Sequence, residues 1–90
     1  MPPNNVAAVP YYSIMKDPVL VIEQVRKIPT AIRQKVYEAI DNLQTNPRPD
    51  GHETEPMRGY IRLTVENYTL VYEVDDEAKS VFIFAVTRFQ

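Results

Sequence analysis

The hydrophobic pattern of this chain changes period once, close to residue 60. Before the change, Ile32, Val36, Ile40 and Leu43 recur at i, i+4, i+8 and i+11, a stripe that only a helix gathers onto one face. After it, Ile61, Leu63 and Val65 alternate with Tyr60, Arg62 and Thr64, the period of a strand with one apolar face. Helices first and strands afterwards give an α+β domain. The expected order is an N-terminal strand, an αα-hairpin, and then a three-stranded antiparallel meander reaching the C-terminus.

Local signals set the boundaries. Residues 1–10, MPPNNVAAVP, read as a flexible leader, and 11–90 as a single domain. Tyr11 to Met15 is a short β-prone run, taken as an edge or first strand. Asp17-Pro18 supplies a side-chain acceptor at the N-cap and proline at the first helical position, opening a helix from Val19 to Ile28 with Val21, Val25 and Ile28 at helical spacing. Pro29 ends it. Thr30 is the expected N-cap of a second helix from Ala31 to about Thr45, so short a break doubling the two into a hairpin. The proline-rich run Asn46 to Gly51 opens a loop reaching about Pro56. Glu66-Asn67 is expected as a two-residue turn, with Asn tolerating the left-handed conformation. Tyr68 to Val74 returns, Asp75 to Ala78 turns, and Ser80 to Arg88 is the last strand. That strand holds Val81-Phe82-Ile83-Phe84-Ala85-Val86, apolar on both faces, and is expected to be central and covered on both sides.

Composition removes several classes of protein. The 90 residues include no cysteine, so neither disulfides nor a thiolate metal site can hold the fold, which suits a cytoplasmic protein. No apolar run approaches the ~18–20 residues of a membrane span. The first ten residues lack the basic start and apolar run of a signal peptide. His52-Glu53-Glu55 and Asp75-Asp76-Glu77 do not have the spacing of a metal loop and read as solvated turns. No metal and no small-molecule cofactor is expected.

Several words of the sequence, in order, carry a resemblance. They are Lys27-Ile28-Pro29, Ala39 to Leu43 leading into Asn46 to Gly51, Met57-Arg58-Gly59-Tyr60-Ile61-Arg62-Leu63, and Tyr68 to Glu77. Together they span roughly residues 11–88, and they resemble the RelE/ParE toxin superfamily of type II toxin–antitoxin systems. The resemblance implies the strand–hairpin–meander fold and a cognate antitoxin that wraps the toxin. RelE-like members cut mRNA on the ribosome as metal-independent endoribonucleases; ParE-like members inhibit DNA gyrase.

Metal-free RNA cleavage needs cations around the phosphorane, a group to take the 2′-proton and a group to protonate the leaving oxygen. By resemblance, Arg62, Arg58 and Arg88 are the candidate catalytic residues, acting as phosphate stabilisers. Arg62, Tyr60 and Arg48 are the candidate RNA contacts. Other positions depart from the family pattern. Thr69 stands where a phosphate-binding arginine is expected and Thr64 where a second basic residue often occurs. Val86-Thr87-Arg88 replaces a more basic ending, and no catalytic tyrosine or histidine is expected after it.

Charge distribution bears on the same question. Residues 1–49 hold six basic and four acidic side chains, a balance of +2, while residues 50–90 hold four basic and eight acidic, a balance of −4. The half expected to meet RNA is the acidic half, and phosphate contacts dominate nucleic-acid affinity. Each candidate also has an ordinary structural role open to it. Arg62 could pair across the sheet with Glu73 or Glu66. Tyr60, Tyr68 and Tyr72 could pack across strands. His52, the one histidine, reads as a surface loop residue and not as an acid or base. The leading functional reading is a RelE-like toxin that cleaves mRNA on the ribosome with weakened activity; the alternatives are a ParE-like gyrase inhibitor and an inactive homologue that still binds its antitoxin. The antitoxin is expected at the meander's exposed face and the open edge strand.

Overall fold

The computed structural model describes residues 11–88, so the leader expected at 1–10 lies outside the described residues. Its elements are β1 (Ser13–Lys16), α1 (Leu20–Arg26), α2 (Thr30–Asn42), β2 (Glu53–Thr54), β3 (Ile61–Val65), β4 (Tyr68–Asp75) and β5 (Ser80–Arg88). The strands form one five-stranded sheet in the order β1-β5-β4-β3-β2. The expected meander is there: β3 runs antiparallel to β4, and β4 to β5. β1 lies parallel to β5, with Ser13 opposite Ser80 and Lys16 opposite Ile83. β2 was read as loop; it adds a two-residue strand outside β3, with Glu53 opposite Arg62.

Burial explains why the helical stripe and the strand alternation coincide. Val21, Val25 and Ile28 of the first helical segment join Val36, Ile40 and Leu43 of the second, and both sets meet Ile61, Leu70, Tyr72, Val81, Ile83 and Val86 of the sheet in one core. Each such aliphatic side chain contributes about 1.5–3 kcal/mol when fully buried, so this single layer is what a 90-residue chain has to hold it folded.

The helix starts differ from expectation in an instructive way. Asp17 is not the N-cap of α1: that position falls to Val19, which has no side-chain cap bond, and the helix begins only at Leu20, while Asp17 Oδ1 accepts from Val19 N–H at 3.0 Å in the turn before it. Thr30 is the first helical residue of α2; the N-cap is Pro29, whose extended backbone (ψ 144°) lets its carbonyl accept from Ile32 and Arg33. α2 ends at Asn42, and the next three residues tighten into turns through Leu43 N–H to Ile40 O and Gln44 N–H to Asp41 O. Arg33 fastens the hairpin, donating to Ile28 O at 2.9 Å and to Arg26 O at 3.2 Å.

Two expectations about the strands are corrected. In the β3–β4 turn it is Glu66, not Asn67, that takes the left-handed conformation, at φ 59°. β5 is interior, between β1 and β4, but it is not covered on both faces. Its inner face holds the buried Val81, Ile83 and Val86, whereas Phe82 and Phe84 on the outer face are half-buried, sheltered by each other and by Tyr60 with ring centroids 4.9 Å apart. A bulge opposite Val71 and Tyr72 skips Phe84 in the register, adding a residue to β5 and bending it there.

Candidate functional site

The outer sheet face divides into an aromatic end and a polar end. At the aromatic end sit Tyr60, Phe84 and Phe82. At the polar end the register places Glu53, Arg62 and Val71 in one cross-strand row and Thr64, Thr69 and Thr87 in the next. With Arg88 closing the end of β5, these residues line an open depression of about 390 Å³. Period two carries Arg62 to this face because Ile61 and Leu63 on either side point into the core.

The candidate residues from the sequence separate accordingly. Arg62 and Arg88 line the same depression. Arg62 lies 3.9 Å from Glu53 Oε1, a loose pair between half-exposed and exposed side chains. Neither acid proposed as its cross-strand partner takes that place: Glu66 is bound to Lys35 Nζ at 3.1 Å, and Glu73 stands opposite Phe82. Arg58 lies outside the depression, exposed in the loop before β3, its backbone N–H held by Glu55 Oε1. Tyr60 packs on Phe84 at the aromatic end.

Arg48 is committed elsewhere. Its guanidinium meets Asp76 at 2.9 and 3.2 Å, and Asp76 also accepts from Tyr12 O–H at 2.7 Å. Asp76 follows the last residue of β4, the end away from the Thr69–Thr87 row, so Arg48 sits at the far end of that strand from Arg62's neighbours. The hydrogen bonds from Arg48 and then Tyr12 hold the Asp76 carboxyl below its usual range, and the same contact raises the Arg48 guanidinium. His52 turns its Nδ1 to Pro49 O at 2.8 Å within its own loop. A carbonyl only accepts, so Nδ1 carries the proton in that contact.

Lys27 was not named as a candidate site residue from the sequence. It lines a second hollow, of about 420 Å³, with Gln24, Tyr68, Val86, Thr87 and Arg88. Arg88 therefore stands between two depressions, one on each side of the end of β5. Nothing local in the sequence marks Lys27, because its proximity to Arg88 depends on α1 continuing past the end of β1. Among the described residues, no three His, Asp or Glu side chains gather to hold a metal ion, and no helix is long and apolar enough to cross a membrane.

Chemically, the polar depression offers two guanidiniums, one carboxylate and three hydroxyls. It can bind an anionic or hydrogen-bonding group. Two cations on an acidic sheet give little of the charge stabilisation that phosphodiester cleavage draws on.

A family model described as the ParE toxin of the type II toxin–antitoxin system parDE matches residues 19–88. The chain belongs to the ParE toxin family. It is thus a type II toxin of the RelE/ParE superfamily, and the fold agrees. The toxin superimposes on the RelBE2 toxin–antitoxin complex of Mycobacterium tuberculosis with a TM-score of 0.75 at 22% identity, covering 88% of this chain and 92% of that one. The isolated E. coli RelE toxin gives 0.73 at 22% identity, with 88% and 85% covered. The chromosomal ParDE system of P. aeruginosa gives 0.70 at 15% identity, with 89% and 98% covered. At these identities the likeness is one of fold, and it extends to both branches. Among curated proteins, none matches the sequence.

Proposed function

We propose that this toxin works by engaging a protein target, DNA gyrase as in the ParE branch, and not by cutting RNA. The observation that carries the reading is the company Arg62 keeps. Across and beside it on the outer face lie Thr64, Thr69, Thr87 and Glu53, so hydroxyls and a carboxylate surround it and Arg88 is the one other cation among the described residues lining the depression. A binding surface for a protein tolerates such a mixture, since polar rims and hydrogen-bonding hydroxyls are ordinary parts of interfaces. The family match to ParE supports the same choice.

RNA cleavage is the second reading. It is favoured by Arg62 and Arg88 lining one depression, the minimum arrangement for holding a phosphate between two cations. Either target places the action in the cytoplasm. Under both readings the toxin is held by a cognate antitoxin; the RelBE2 neighbour from Mycobacterium tuberculosis is itself a toxin–antitoxin complex.

Inducing the chain alone in bacteria separates the two. Growth arrest with relaxed plasmid DNA and unbroken mRNA is the expected result. Arrest with mRNA cut in frame, abolished by Arg62→Ala, would overturn the gyrase reading in favour of the nuclease. Normal growth at good soluble expression would sink both.

A further inference from the structure

Several cations of this protein are spent on partners. Arg26 meets Glu23, Lys35 meets Glu66, Arg48 meets Asp76 and Arg62 lies near Glu53. Arg33 is taken up by the carbonyls of Arg26 and Ile28. Lys27 and Arg88 differ. Both are exposed, and neither lies within ion-pair distance of a carboxylate among the described residues. Both line the hollow of about 420 Å³ between α1 and the end of β5. The other described residues around it are Gln24, Tyr68, Val86 and Thr87, so no acid borders it. In a chain of net charge −2, this is a local site of positive potential.

The neutral groups of the hollow point to the same kind of occupant. Gln24 Oε1 is already engaged by Val86 N–H at 2.6 Å, so the carboxamide has its NH₂ left to offer, and that group only donates. Tyr68 and Thr87 add hydroxyls. The carbonyls at the end of α1, which would repel an anion, are engaged elsewhere. Gln24 O and Val25 O accept from Lys27 N–H, and Arg26 O and Ile28 O accept from Arg33. Val86 belongs to the core and Tyr68 packs against it, so one wall of the hollow is apolar.

We propose that this hollow binds a free mononucleotide, its phosphate held by Lys27, Arg88 and the Gln24 NH₂ and its planar base set against Tyr68 and Val86. Hydrogen bonds from an ammonium and a guanidinium to a phosphate are the strong, charge-assisted kind. The volume falls within the ~300–1,000 Å³ of small-molecule sites. A polynucleotide fits worse, because beyond the hollow it would run over residues 50–90, where the charge balance is −4. A single phosphate meets the two cations alone. Arg88 also lines the outer depression, so a phosphate bound on the helix side draws its guanidinium off that face and leaves Arg62 there. The binding itself does not depend on which target the toxin engages.

Titrating the full chain with AMP, followed by NMR of the amides and arginine side chains, tests it. The signals of Gln24, Lys27, Tyr68, Val86 and the Arg88 Nε–H should shift, and those of Arg62 and Thr64 should stay. Inorganic phosphate should move the same residues but bind about fivefold more weakly, lacking a base to stack. Adenosine, lacking the phosphate, should not bind. Lys27→Met should weaken AMP binding about tenfold with unchanged circular dichroism. Gln24→Glu keeps an acceptor for Val86 N–H, so the fold is retained, but it replaces the NH₂ donors with a negative charge and should abolish binding. Lys16→Met, at a cation outside the hollow, should bind as the parent does. Adenosine binding as tightly as AMP, shifts centred on Arg62, or a Gln24→Glu variant that binds AMP normally would overturn the proposal. So would the absence of any shift with AMP. A single-stranded RNA oligonucleotide that binds through Lys27 and Arg88 where AMP does not would overturn it too, assigning the hollow to an RNA surface.

Discussion

Arg48 and Asp76, 28 positions apart, meet through two hydrogen bonds of 2.9 and 3.2 Å, and Tyr12 O–H reaches the same carboxylate at 2.7 Å. Three distant parts of the chain are joined there: the segment leading into β1, the loop after α2 and the turn after β4. Lys79 adds its ammonium 5.2 Å from the centre of the Tyr12 ring.

This junction predicts an acid-side loss of stability. The folded Asp76 carboxyl lies below its ordinary value, with the Arg48 hydrogen bond as the main cause. Its contribution is therefore complete above the unfolded carboxyl range, about pH 4, and disappears as pH falls through the lower folded value. Asp76→Asn should have a lower Tm than the parent at pH 7, and the difference should shrink towards zero in strong acid. Thermal melts between pH 7 and pH 2 read this directly; a constant difference would show that the charge plays no part.

Tyr72 predicts the opposite limb. Its hydroxyl is buried and donates to Pro47 O at 2.8 Å, and burial pushes its pKa up to about 12. A group whose folded pKa is raised stabilises fully below its unfolded value, near pH 10, and loses that contribution as pH climbs to the folded value. Tyr72→Phe removes one hydrogen bond and leaves the Pro47 carbonyl without its donor, a loss of about 1–2 kcal/mol. For a domain of this size that lowers Tm by roughly 4–15 °C. The variant should also lack the part of the parent's alkaline destabilisation between pH 10 and pH 12 that Tyr72 causes, which denaturant melts in that window would measure.

How much of this was legible in the sequence depended on the range of each interaction. Val36, Ile40 and Leu43 are buried as the i, i+4 spacing requires, and Ile61, Leu63 and Val65 face inward as alternation requires. Those patterns lie within single elements. β2 left no pattern because two residues cannot show a period, and without it the partner of Arg62 could not be named. The Arg48–Asp76 pair and the Gln24–Val86 contact bridge 28 and 62 positions, distances over which period says nothing. Asp17 was legible as a local side-chain acceptor, but the turn at Pro18 and Val19 moved the helix start and put the N-cap at Val19. Within the candidate site, Arg62 and Arg88 were found because period and strand end place them; Lys27 was not, since only the packing of α1 beside β5 brings it to Arg88.

The threonines on the outer face predict a gain of function. Thr69 pairs with Thr64 on one side and Thr87 on the other, within the depression that Arg62 and Arg88 line. Thr69→Arg places a third cation there. The variant should bind single-stranded RNA more tightly than the parent, and its salt dependence should steepen by about 0.7 in log–log slope for the one added phosphate contact. Filter binding across a salt series tests this. Strong RNA binding by the parent, unchanged in the variant, would contradict the low cationic character assigned to this face.

The last prediction concerns how the sheet is closed where β1 stops. β1 ends at Lys16, opposite Ile83, so the later residues of β5 have no strand on that side. α1 takes over the position, and Gln24 Oε1 accepts the Val86 N–H at 2.6 Å, standing in for the carbonyl that a longer β1 would have supplied. Val86 is itself a core residue, 3% exposed, so its amide is poorly placed to find water if the acceptor is removed. Gln24→Ala should therefore lower stability by about 1–3 kcal/mol, the range for a buried donor left unpaired. Gln24→Glu keeps an acceptor at the same reach and should recover most of the loss. Hydrogen exchange locates the effect: the Val86 amide should exchange much faster in the alanine variant, while those of Leu70 and Tyr72 in the centre of β4 follow only the global change. Equal acceleration at all three amides would mean that Gln24 acts by packing alone and that the carboxamide bond does not close this edge.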